Sequence, residues 1–372
     1  MNECPLVSIG IPTYNRPQGL VNALDCFLSQ SYENLEIIVA DNHSNIDPRS
    51  YIRSDVLDDP RVKFFRHDKN FGMSFNSEFV WRAARGKYFI LGSDDDWWDP
   101  IFVNTLVELL ETNTDSSIAM SNFTEVDFSG KKLTHRSVAA RIKNIFGYGL
   151  PPFPDHLPLL NNLSNKSLVS RLCSFIDQNE YDGKANIHRA LCRRNDFIES
   201  IDRLYMLNLN GCWGFDQLIA FALLSKGNIK ISPKILFKCT VGNQKNYVDS
   251  RSKLEFLQGY YLISKACMDN EALLVIKKHI NMKFLKVRCG FFAEFDEALK
   301  NYLHIISGYK YEEMDNRYQI LLTLISQAEY LECYDLICSE TKNDQTALTK
   351  EAKNIQMTLY KNLKKQMPIN LN

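Results

Sequence analysis

Three consecutive aspartates, Asp94, Asp95 and Asp96, are the residues of this chain best suited to chemistry. They directly follow the apolar run Tyr88–Leu91, which is typical of a fully buried strand. Adjacent carboxylates repel one another and are costly to desolvate, so a cation at this strand end would account for them. Their oxygen atoms suit a hard divalent ion such as Mg²⁺ or Mn²⁺. A solvated acidic turn that caps the next helix is the alternative interpretation.

Asp216 is the second candidate for a chemical role. It lies in the segment Asn210–Gln217, which opens a predicted helix with an apolar face that ends at Gly227. One interpretation is that Asp216 has no chemical role and occupies the first turn of the helix because the helix dipole stabilises a negative charge there. The same position would keep the carboxylate ionised, as a general base must be. Both interpretations are open on these residues alone.

Alternating strands and helices must position these carboxylates. The predicted strands are Leu6–Pro12, Leu35–Ala40, Val62–Arg66 and Tyr88–Leu91. With helical segments between them, they are typical of a doubly wound α/β sheet, in which ligands bind beyond the carboxyl ends of the strands. Polar residues occur at those predicted ends: Thr13, Asn15, Arg16, Asp41, Asn42, Asn70, Gly72, Asp94, Asp95 and Asp96. One shared ligand site explains this pattern better than four unrelated solvated loops.

Composition limits the classes of function. The 372 residues are enough for two domains, and the 45% hydrophobic and 24% charged contents are those of an ordinary globular protein. A formal net charge of +0 provides no overall attraction for nucleic acid. Ten cysteines without a Cys-x-x-Cys pair, together with no signal peptide and no membrane-spanning run, predict a cytoplasmic protein with reduced thiols. Any membrane contact would then be peripheral. The glycine motifs of P-loops and dinucleotide-binding folds do not occur.

Residues from Leu6 to about Glu111 resemble the nucleotide-sugar half of a family 2 glycosyltransferase with the GT-A fold. The resemblance rests on Val7–Arg16, Glu36–Ser44, Asn70–Gly72, Gly86–Tyr88 and the acidic run with Trp97, Trp98 and Pro100, in this order and spacing. It implies a mixed α/β sheet flanked by helices, followed here by a C-terminal helical extension. It also implies an inverting, metal-dependent transfer of a sugar, with uridine diphosphate as the expected leaving group. A glycan or lipid-linked acceptor in bacterial surface polysaccharide synthesis would receive the sugar.

The resemblance assigns donor-binding roles to the residues at the strand ends. By similarity, the nucleotide pocket is lined by Pro12, Thr13, Tyr14, Asn15 and Arg16. Asp41, followed by Asn42, would accept a hydrogen bond from the ring N–H of the base. Asn70 and Gly72 would pass close to the ribose and the diphosphate.

The acidic run departs from the commonest family order, which is Asp-x-Asp-Asp before a hydrophobic pair and proline. Counting back from Pro100, Ser93 replaces the first aspartate, Asp95 and Asp96 match the last two, and Asp94 takes the variable position. This register makes Asp95 the expected metal ligand. Alternation along an extended segment instead pairs Asp94 with Asp96 and turns Asp95 away. All three are therefore candidate ligands for Mn²⁺ or Mg²⁺, and Asp94 is also a candidate donor contact.

The acceptor half carries a second part of the resemblance. The segment Trp213–Asp216 is similar to the catalytic segment of the family, which implies that Asp216 takes the proton from the acceptor hydroxyl. Relatives often carry a metal-binding histidine just before a Gly-Asn pair, and Val241 takes that place here. Lys238 then either helps to neutralise the diphosphate or is an ordinary surface lysine. Residues 147–158, rich in proline and aromatics, are predicted to form an acceptor-facing lid or an ordered surface loop.

We predict a GT-A domain over residues 1–245, with a nucleotide-sugar half over 1–111 and an acceptor half over 112–245. A helical C-terminal domain is predicted over 246–372, and its basic amphipathic stretch from Ile276 to Arg288 suits either an anionic membrane or a packed helix with a solvated face. A nucleotidyltransferase is an alternative function, but the loop Thr13–Pro17 lacks the glycines it would need. A non-catalytic nucleotide or glycan binder is another, and the retained acidic run and Asp216 argue against it.

Overall fold

The computed structural model describes residues 4–127, 131, 160–178, 184–210, 214–240 and 250–289 of the chain. The chain divides into two compact units, one over residues 1–252 and the other over residues 253–372. The first unit contains every β-strand that the structure describes. Among the described residues, no helix is both long and apolar enough to cross a lipid bilayer.

The described strands form one mixed sheet in the order β3-β2-β1-β4-β7-β6-β8-β5. They are β1 Val7–Thr13, β2 Leu35–Asp41, β3 Val62–Arg66, β4 Tyr88–Leu91, β5 Trp97–Trp98, β6 Ser116–Val126, β7 Leu191–Arg193 and β8 Asn228–Thr240. Strands β1 to β4 pair in parallel, and β6 pairs in parallel with β8. Strand β7 is antiparallel to both β4 and β6, and β5 is antiparallel to β8. The carboxyl ends of β1, β2, β3, β4, β6 and β8 therefore share one edge of the sheet, which we call the rim.

Helices cover this sheet. In the first unit they are α1 Pro17–Leu28, α2 Ser54–Leu57, α3 Met73–Ala83, α4 Phe102–Thr112, α5 Leu168–Asp177, α6 Arg194–Met206 and α7 Phe215–Lys226, with 3₁₀ helices at Pro48–Tyr51 and Lys184–Arg189. Helix α8 covers Ser250–Cys267, across the division between the units, and α9 covers Asn270–Cys289.

The core lies where helices pack against the central strands. All seven residues of β2 are buried, as expected for a parallel strand with both faces covered. A methyl group in place of the hydrogen at Gly10 of β1 would lie 2.8 Å from Val80 Cγ2, so glycine lets α3 approach the strand closely. On α1 the residues Leu20, Leu24 and Phe27 recur at helical spacing and are buried against the sheet.

Most predicted elements of the N-terminal half occur in the structure, and one prediction is wrong. The apolar runs Ile229–Ile231 and Ile235–Phe237, on either side of Pro233, predict two short strands, but they form the single strand β8. Ser121 of β6 lies opposite Ser232, whereas the next residue, Asn122, lies opposite Ile235, so β8 bulges at Pro233 and Lys234. A bulge accommodates a residue that has no N–H for the sheet.

Other predictions fall partly outside the described residues. The run Ile118–Phe128, followed by Ser129-Gly130-Lys131, predicts a hairpin. A backbone hydrogen bond of 3.0 Å from Asp127 N to Lys131 O is consistent with it, and the rest of the predicted hairpin lies outside the described residues. The segment 147–158 and the predicted helices beyond residue 289 also lie outside the described residues. The predicted helices Leu254–Met268 and Ala272–Arg288 correspond to α8 and α9.

Candidate active site

The end of β1 and the acidic run meet at the rim because β1 and β4 are neighbouring parallel strands. Thr13 Oγ1 donates a hydrogen bond of 2.8 Å to Asp94 Oδ2. Arg16, immediately before α1, places Nη1 at 3.1 Å from Asp94 Oδ1 and 2.7 Å from Asp95 Oδ2. Burial raises the pKa of Asp94 above its usual range, although Thr13 and Arg16 oppose the shift. A cationic side chain therefore already offsets part of the negative charge of the run.

The acidic run is a turn rather than an extended segment, and this corrects the expectation of alternating side chains. Asp94 and Asp95 both face Arg16, whereas Asp96 points towards Arg189. Helix α1 packs tightly against this turn, since a Cβ added to Gly19 would lie 1.9 Å from the Asp94 carbonyl oxygen. The geometry separates Asp96 from the other two carboxylates.

The Asp96 side chain is enclosed by Arg189 and Thr240, two residues of the predicted acceptor half. Its Oδ2 lies 3.0 Å from Arg189 Nε, and its Oδ1 accepts a hydrogen bond of 2.7 Å from the backbone N–H of Thr240, at the end of β8. Burial raises the pKa of Asp96 to about 6, despite the opposing charge of Arg189. Asp95 is the most accessible carboxylate of the three, with 21% of its side chain exposed.

The loops that follow β1 and β2 are bonded to each other. Asn15 adopts the left-handed conformation, with φ 54°. Its backbone N–H donates a hydrogen bond of 2.7 Å to Ser44 Oγ, and its Oδ1 accepts a hydrogen bond of 2.9 Å from Asn45 N. Two further residues of the predicted nucleotide pocket lie beside these contacts: Pro12 of β1, which is half-buried, and Tyr14 of the following loop, which is 42% exposed. An exposed aromatic ring at this edge is suited to stacking on a flat ligand.

Asp41 is engaged within the protein itself. Its carboxylate is fully buried, accepts hydrogen bonds from Ser44 N at 3.1 and 3.2 Å, and lies 3.3 Å from Arg66 Nη1. Arg66 Nη2 also donates a hydrogen bond of 2.7 Å to the Ser44 carbonyl oxygen. A nucleobase could reach this carboxylate only if Ser44 or Arg66 gave way. In this structure Asp41 shapes the loop after β2 rather than facing outward.

The loop after β3 folds against the loop after β2. Asn42 Nδ2 donates a hydrogen bond of 2.8 Å to Asn70 Oδ1. The same oxygen also accepts a hydrogen bond of 2.8 Å from Gly72 N. Asn42 Oδ1 in turn accepts 3.0 Å from Phe71 N. Gly72 has φ 90°, and a Cβ there would meet nothing within 4 Å, so the backbone conformation rather than crowding favours glycine. The structure thus brings Asn42, Asn70 and Gly72 together, and their role in binding a donor stays a prediction.

Lys238 lies on the exposed face of β8, two residues before the Thr240 that contacts Asp96. It is paired across the sheet with Trp97 of β5. The next residue of β5, Trp98, packs against Phe27 with ring centroids 4.3 Å apart and stacks on Phe237. These rings anchor the segment between the acidic run and α4.

Asp216 lies in the first turn of α7, after Gly214 in the left-handed conformation with φ 75°. The Asp216 Oδ1 atom accepts a hydrogen bond of 2.8 Å from Gln217 N, and the side chain is half-buried. Asp216 is within electrostatic range of His188 and Arg189, which also interacts with Asp95 and Asp96. Arg189 therefore links the predicted base to the predicted metal ligands.

His188 and Arg189 were not predicted from the sequence. Both belong to the 3₁₀ helix that enters β7, and β7 runs against its neighbours, so the residues before this strand reach the rim. Burial first, then the charge of Arg189, lowers the pKa of His188 to about 4, so the ring is neutral at pH 7. A search of the residues that precede an antiparallel strand could have found them.

The residues at the rim fit a hard divalent cation in part. No group of three or more His, Cys, Asp or Glu side chains in the described ranges is arranged to hold a metal ion. Asp94 and Asp95 nevertheless place carboxylate oxygens at the rim, and Arg16, whose side chain is 52% exposed, has room to move away from them. Two carboxylates suit an ion that takes its remaining oxygen ligands from water and phosphate.

Comparison with known proteins gives the class of fold and then a family match. The fold resembles that of Staphylococcus aureus TarS, with a TM-score of 0.51 at 16% identity over 88% of this chain and 50% of TarS. The TarS 1-349 structure in complex with UDP-GlcNAc gives a TM-score of 0.52 at 14% identity over 88% and 83% of the two chains. The chain therefore has the GT-A fold of α/β glycosyltransferases, as predicted. Residues 8–182 match the model of glycosyl transferase family 2.

Curated relatives align with parts of the chain. An uncharacterized glycosyltransferase of Haemophilus influenzae is 32% identical over 126 residues, which cover 34% of this chain and 39% of that protein. The putative colanic acid biosynthesis glycosyl transferase WcaA of Escherichia coli is 34% identical over 100 residues, covering 27% and 36%. The glycosyltransferase GlyG of Streptococcus pneumoniae is 22% identical over 215 residues, covering 54% and 70%. The chain thus spans less than half the length of the first two relatives.

Proposed function

We propose that this protein is an inverting, metal-dependent glycosyltransferase. It moves a sugar from a nucleoside diphosphate donor to a hydroxyl group of a glycan or lipid-linked acceptor, in the synthesis of a bacterial surface polysaccharide. The observation that carries this proposal is that the carboxylates of Asp94 and Asp95 lie at the same rim as Asp216, an aspartate at a helix N-terminus, and that Arg189 interacts electrostatically with both Asp95 and Asp216. The family match of residues 8–182 supports the same reaction class.

Uridine diphosphate is the nucleotide we propose for the donor. TarS 1-349 has been solved in complex with UDP-GlcNAc and shares the fold of this chain. Tyr14 offers an exposed ring for the base, and the loops of Asn42, Asn70 and Gly72 are cross-bonded at the position where the ribose and diphosphate would pass. The description of one relative, WcaA of Escherichia coli, as a putative colanic acid biosynthesis glycosyl transferase supports a polysaccharide product.

The charges at the rim suggest how the transfer proceeds. Asp95, assisted by Asp94, would hold Mn²⁺ or Mg²⁺, which when bound supplies Lewis-acid stabilisation of the departing diphosphate. Asp216 accepts the proton of the acceptor hydroxyl as this oxygen attacks the anomeric carbon in line with the leaving group. Arg16 and Lys238 provide positive charge for the phosphates. Holding donor and acceptor together supplies much of the rate.

A screen of sugar nucleotides with the full chain tests this function. We expect a UDP-sugar to raise the melting temperature in the presence of Mn²⁺ and to be hydrolysed slowly without acceptor, and the Asp95→Asn variant to lose both effects. Asp99→Asn is a matched control, because it removes an exposed carboxylate from the same segment. Stabilisation that ignores Mn²⁺ would contradict the metal site. Cleavage of nucleoside triphosphates to pyrophosphate would instead favour a nucleotidyltransferase, and binding without any turnover would favour a non-catalytic binder.

A further inference from the structure

Arg189 lies at the rim, where the proposed reaction assigns it no chemical step. It ends the 3₁₀ helix Lys184–Arg189 and is mostly covered, with 21% of its side chain exposed. Its Nε lies 3.0 Å from Asp96 Oδ2. Its Nη1 donates a hydrogen bond of 2.6 Å to Asn186 Oδ1 and lies 3.6 Å from Cys239 Sγ. Burial alone would lower the pKa of Arg189, but the surrounding acidic groups, Asp96 first, raise it, so the side chain stays cationic.

Asp96 is closed off by these contacts. The exposed fraction of its side chain is 0%, compared with 8% for Asp94 and 21% for Asp95. Arg189 covers one carboxylate oxygen and the Thr240 backbone N–H covers the other. A cation that bound Asp96 directly would have to break a buried ion pair and leave the Arg189 charge without its partner, which is strongly unfavourable.

Arg189 also connects the acidic run to the element that carries Asp216. The 3₁₀ helix packs against α7, and Arg189 interacts electrostatically with Asp216 as well as with Asp96. Strand β7, which follows directly, is bonded to β4 on one side and β6 on the other. The Arg189–Asp96 pair therefore sits where the nucleotide-sugar half and the acceptor half join.

We infer that Arg189 is a positioning residue: it withholds Asp96 from the cation, leaves Asp94 and Asp95 as the protein carboxylates available to it, and fixes the distance between that pair and Asp216. This inference rests on the proposed function for its catalytic consequence. Its structural part, the coupling of Arg189 to Asp96, does not depend on the identity of the reaction.

Titration of the full chain with Mn²⁺ in the presence of UDP, followed by electron paramagnetic resonance, tests the division among the aspartates. We expect Asp95→Asn to weaken Mn²⁺ binding about tenfold or more and Asp96→Asn to change it by less than about threefold. Asp99→Asn should leave it unchanged. Equal losses for Asp95→Asn and Asp96→Asn would overturn the inference and leave the proposed function intact. Wild-type protein that binds no Mn²⁺ with UDP would overturn the proposed metal dependence and this division together.

Variants of Arg189 test its positioning role. We expect Arg189→Gln to slow UDP-sugar turnover about tenfold while UDP affinity, measured by calorimetry, stays the same, and Arg189→Lys to recover part of the rate. A purely structural role would not separate turnover from UDP binding in this way. Unchanged turnover in Arg189→Gln, or an equal loss of turnover and UDP affinity, would overturn the role.

A double-variant cycle keeps the inference testable if Arg189→Gln is unstable. The loss of melting temperature in Arg189→Gln combined with Asp96→Asn should be smaller than the sum of the two single losses, because neither charge is then left alone. The exposed pair Arg49–Asp47 is the control, and its two substitutions should add. Additive losses for Arg189 and Asp96 would overturn the coupling.

Discussion

At the scale of single residues, Asp216 is the group on which the proposed chemistry depends most. Replacing it with asparagine removes the proton acceptor but keeps a side chain that can accept the hydrogen bond from Gln217 N. We expect Asp216→Asn to lower turnover by about 10²- to 10⁴-fold, the usual contribution of a general base. UDP affinity should stay unchanged, because Asp216 lies on the acceptor side. Steady-state kinetics and calorimetry measure the two quantities.

Asp202→Asn is the matched control for that substitution. Asp202 lies on the neighbouring helix α6 in an exposed ion pair with Arg82, so its loss should affect neither quantity. Normal turnover in Asp216→Asn would remove Asp216 from the role of base.

Arg16 leads to a prediction about the cation in the absence of donor. Because its guanidinium lies between Asp94 and Asp95, it competes with a divalent ion for the same oxygens. Arg16→Gln should therefore bind Mn²⁺ more tightly than wild type when no nucleotide is present, and should melt at a lower temperature in EDTA because the carboxylates then repel each other. Isothermal titration and thermal denaturation measure these effects.

The control for Arg16 is Arg53→Gln, which removes an exposed arginine that pairs with Asp55 and Asp25 away from the rim. It should change neither Mn²⁺ affinity nor stability in EDTA by much. Weaker Mn²⁺ binding in Arg16→Gln than in wild type would show that Arg16 supports the ion instead of competing with it.

At the scale of elements, Glu36 joins three strands of the sheet away from the rim. The Glu36 side chain is 4% exposed. Its carboxylate accepts a hydrogen bond of 2.6 Å from Ser8 Oγ on β1 and one of 2.7 Å from Lys63 Nζ on β3, and it also forms an ion pair with Arg85. Burial would raise the pKa of Glu36, but these partners outweigh it and lower the pKa to about 2. The ionised carboxylate therefore stabilises the folded chain.

This lowered pKa predicts a pH-dependent stability. Since the pKa is lower in the folded than in the unfolded chain, the stabilisation is present above the ordinary value of 4.5 and is lost as the pH falls towards 2. Glu36→Gln should cost about 1 to 3 kcal/mol at pH 7, and the difference from wild type should shrink below pH 4.5. Urea denaturation at pH 7 and pH 3 measures it. Glu33→Gln, an exposed neighbour, is the control, and a pH-independent difference for Glu36→Gln would contradict the assignment.

The elements also show what sequence reasoning can and cannot reach. Strands β3 and β4 have the predicted bounds, because short apolar runs between polar turns carry a strong local signal. The contact of Arg66 with Asp41, and that of Arg189 with Asp96, join residues far apart in sequence. Arg189 was not predicted because only residues that follow strands were expected at the rim. Strand β7 is antiparallel to β4 and β6, so the residues that precede it lie at the rim instead.

At the scale of the whole molecule, α9 bears on the predicted membrane contact. Ile276 and Ile280, the apolar residues of the basic amphipathic stretch that the structure describes in detail, are both fully buried. Where Ile276 and Ile280 lie, the apolar face of α9 is covered within the chain and is not available to a lipid surface. We therefore expect the full chain to stay in solution in flotation assays with vesicles that contain anionic lipid. Flotation with anionic but not with neutral vesicles would contradict this expectation and favour the membrane interpretation.

The insertion of β7 between β4 and β6 limits how members of this family can be recombined. The pairing of Phe89 with Cys192, and of Cys192 with Ile118, makes a segment from the predicted acceptor half an internal part of the sheet that carries the predicted donor loops. A chimera that grafts a foreign acceptor half after residue 111 would import a strand with the wrong side chains against β4, and an unrelated residue opposite Asp96. Exchanges that aim to alter acceptor choice should keep native residues 184–193 and begin beyond them.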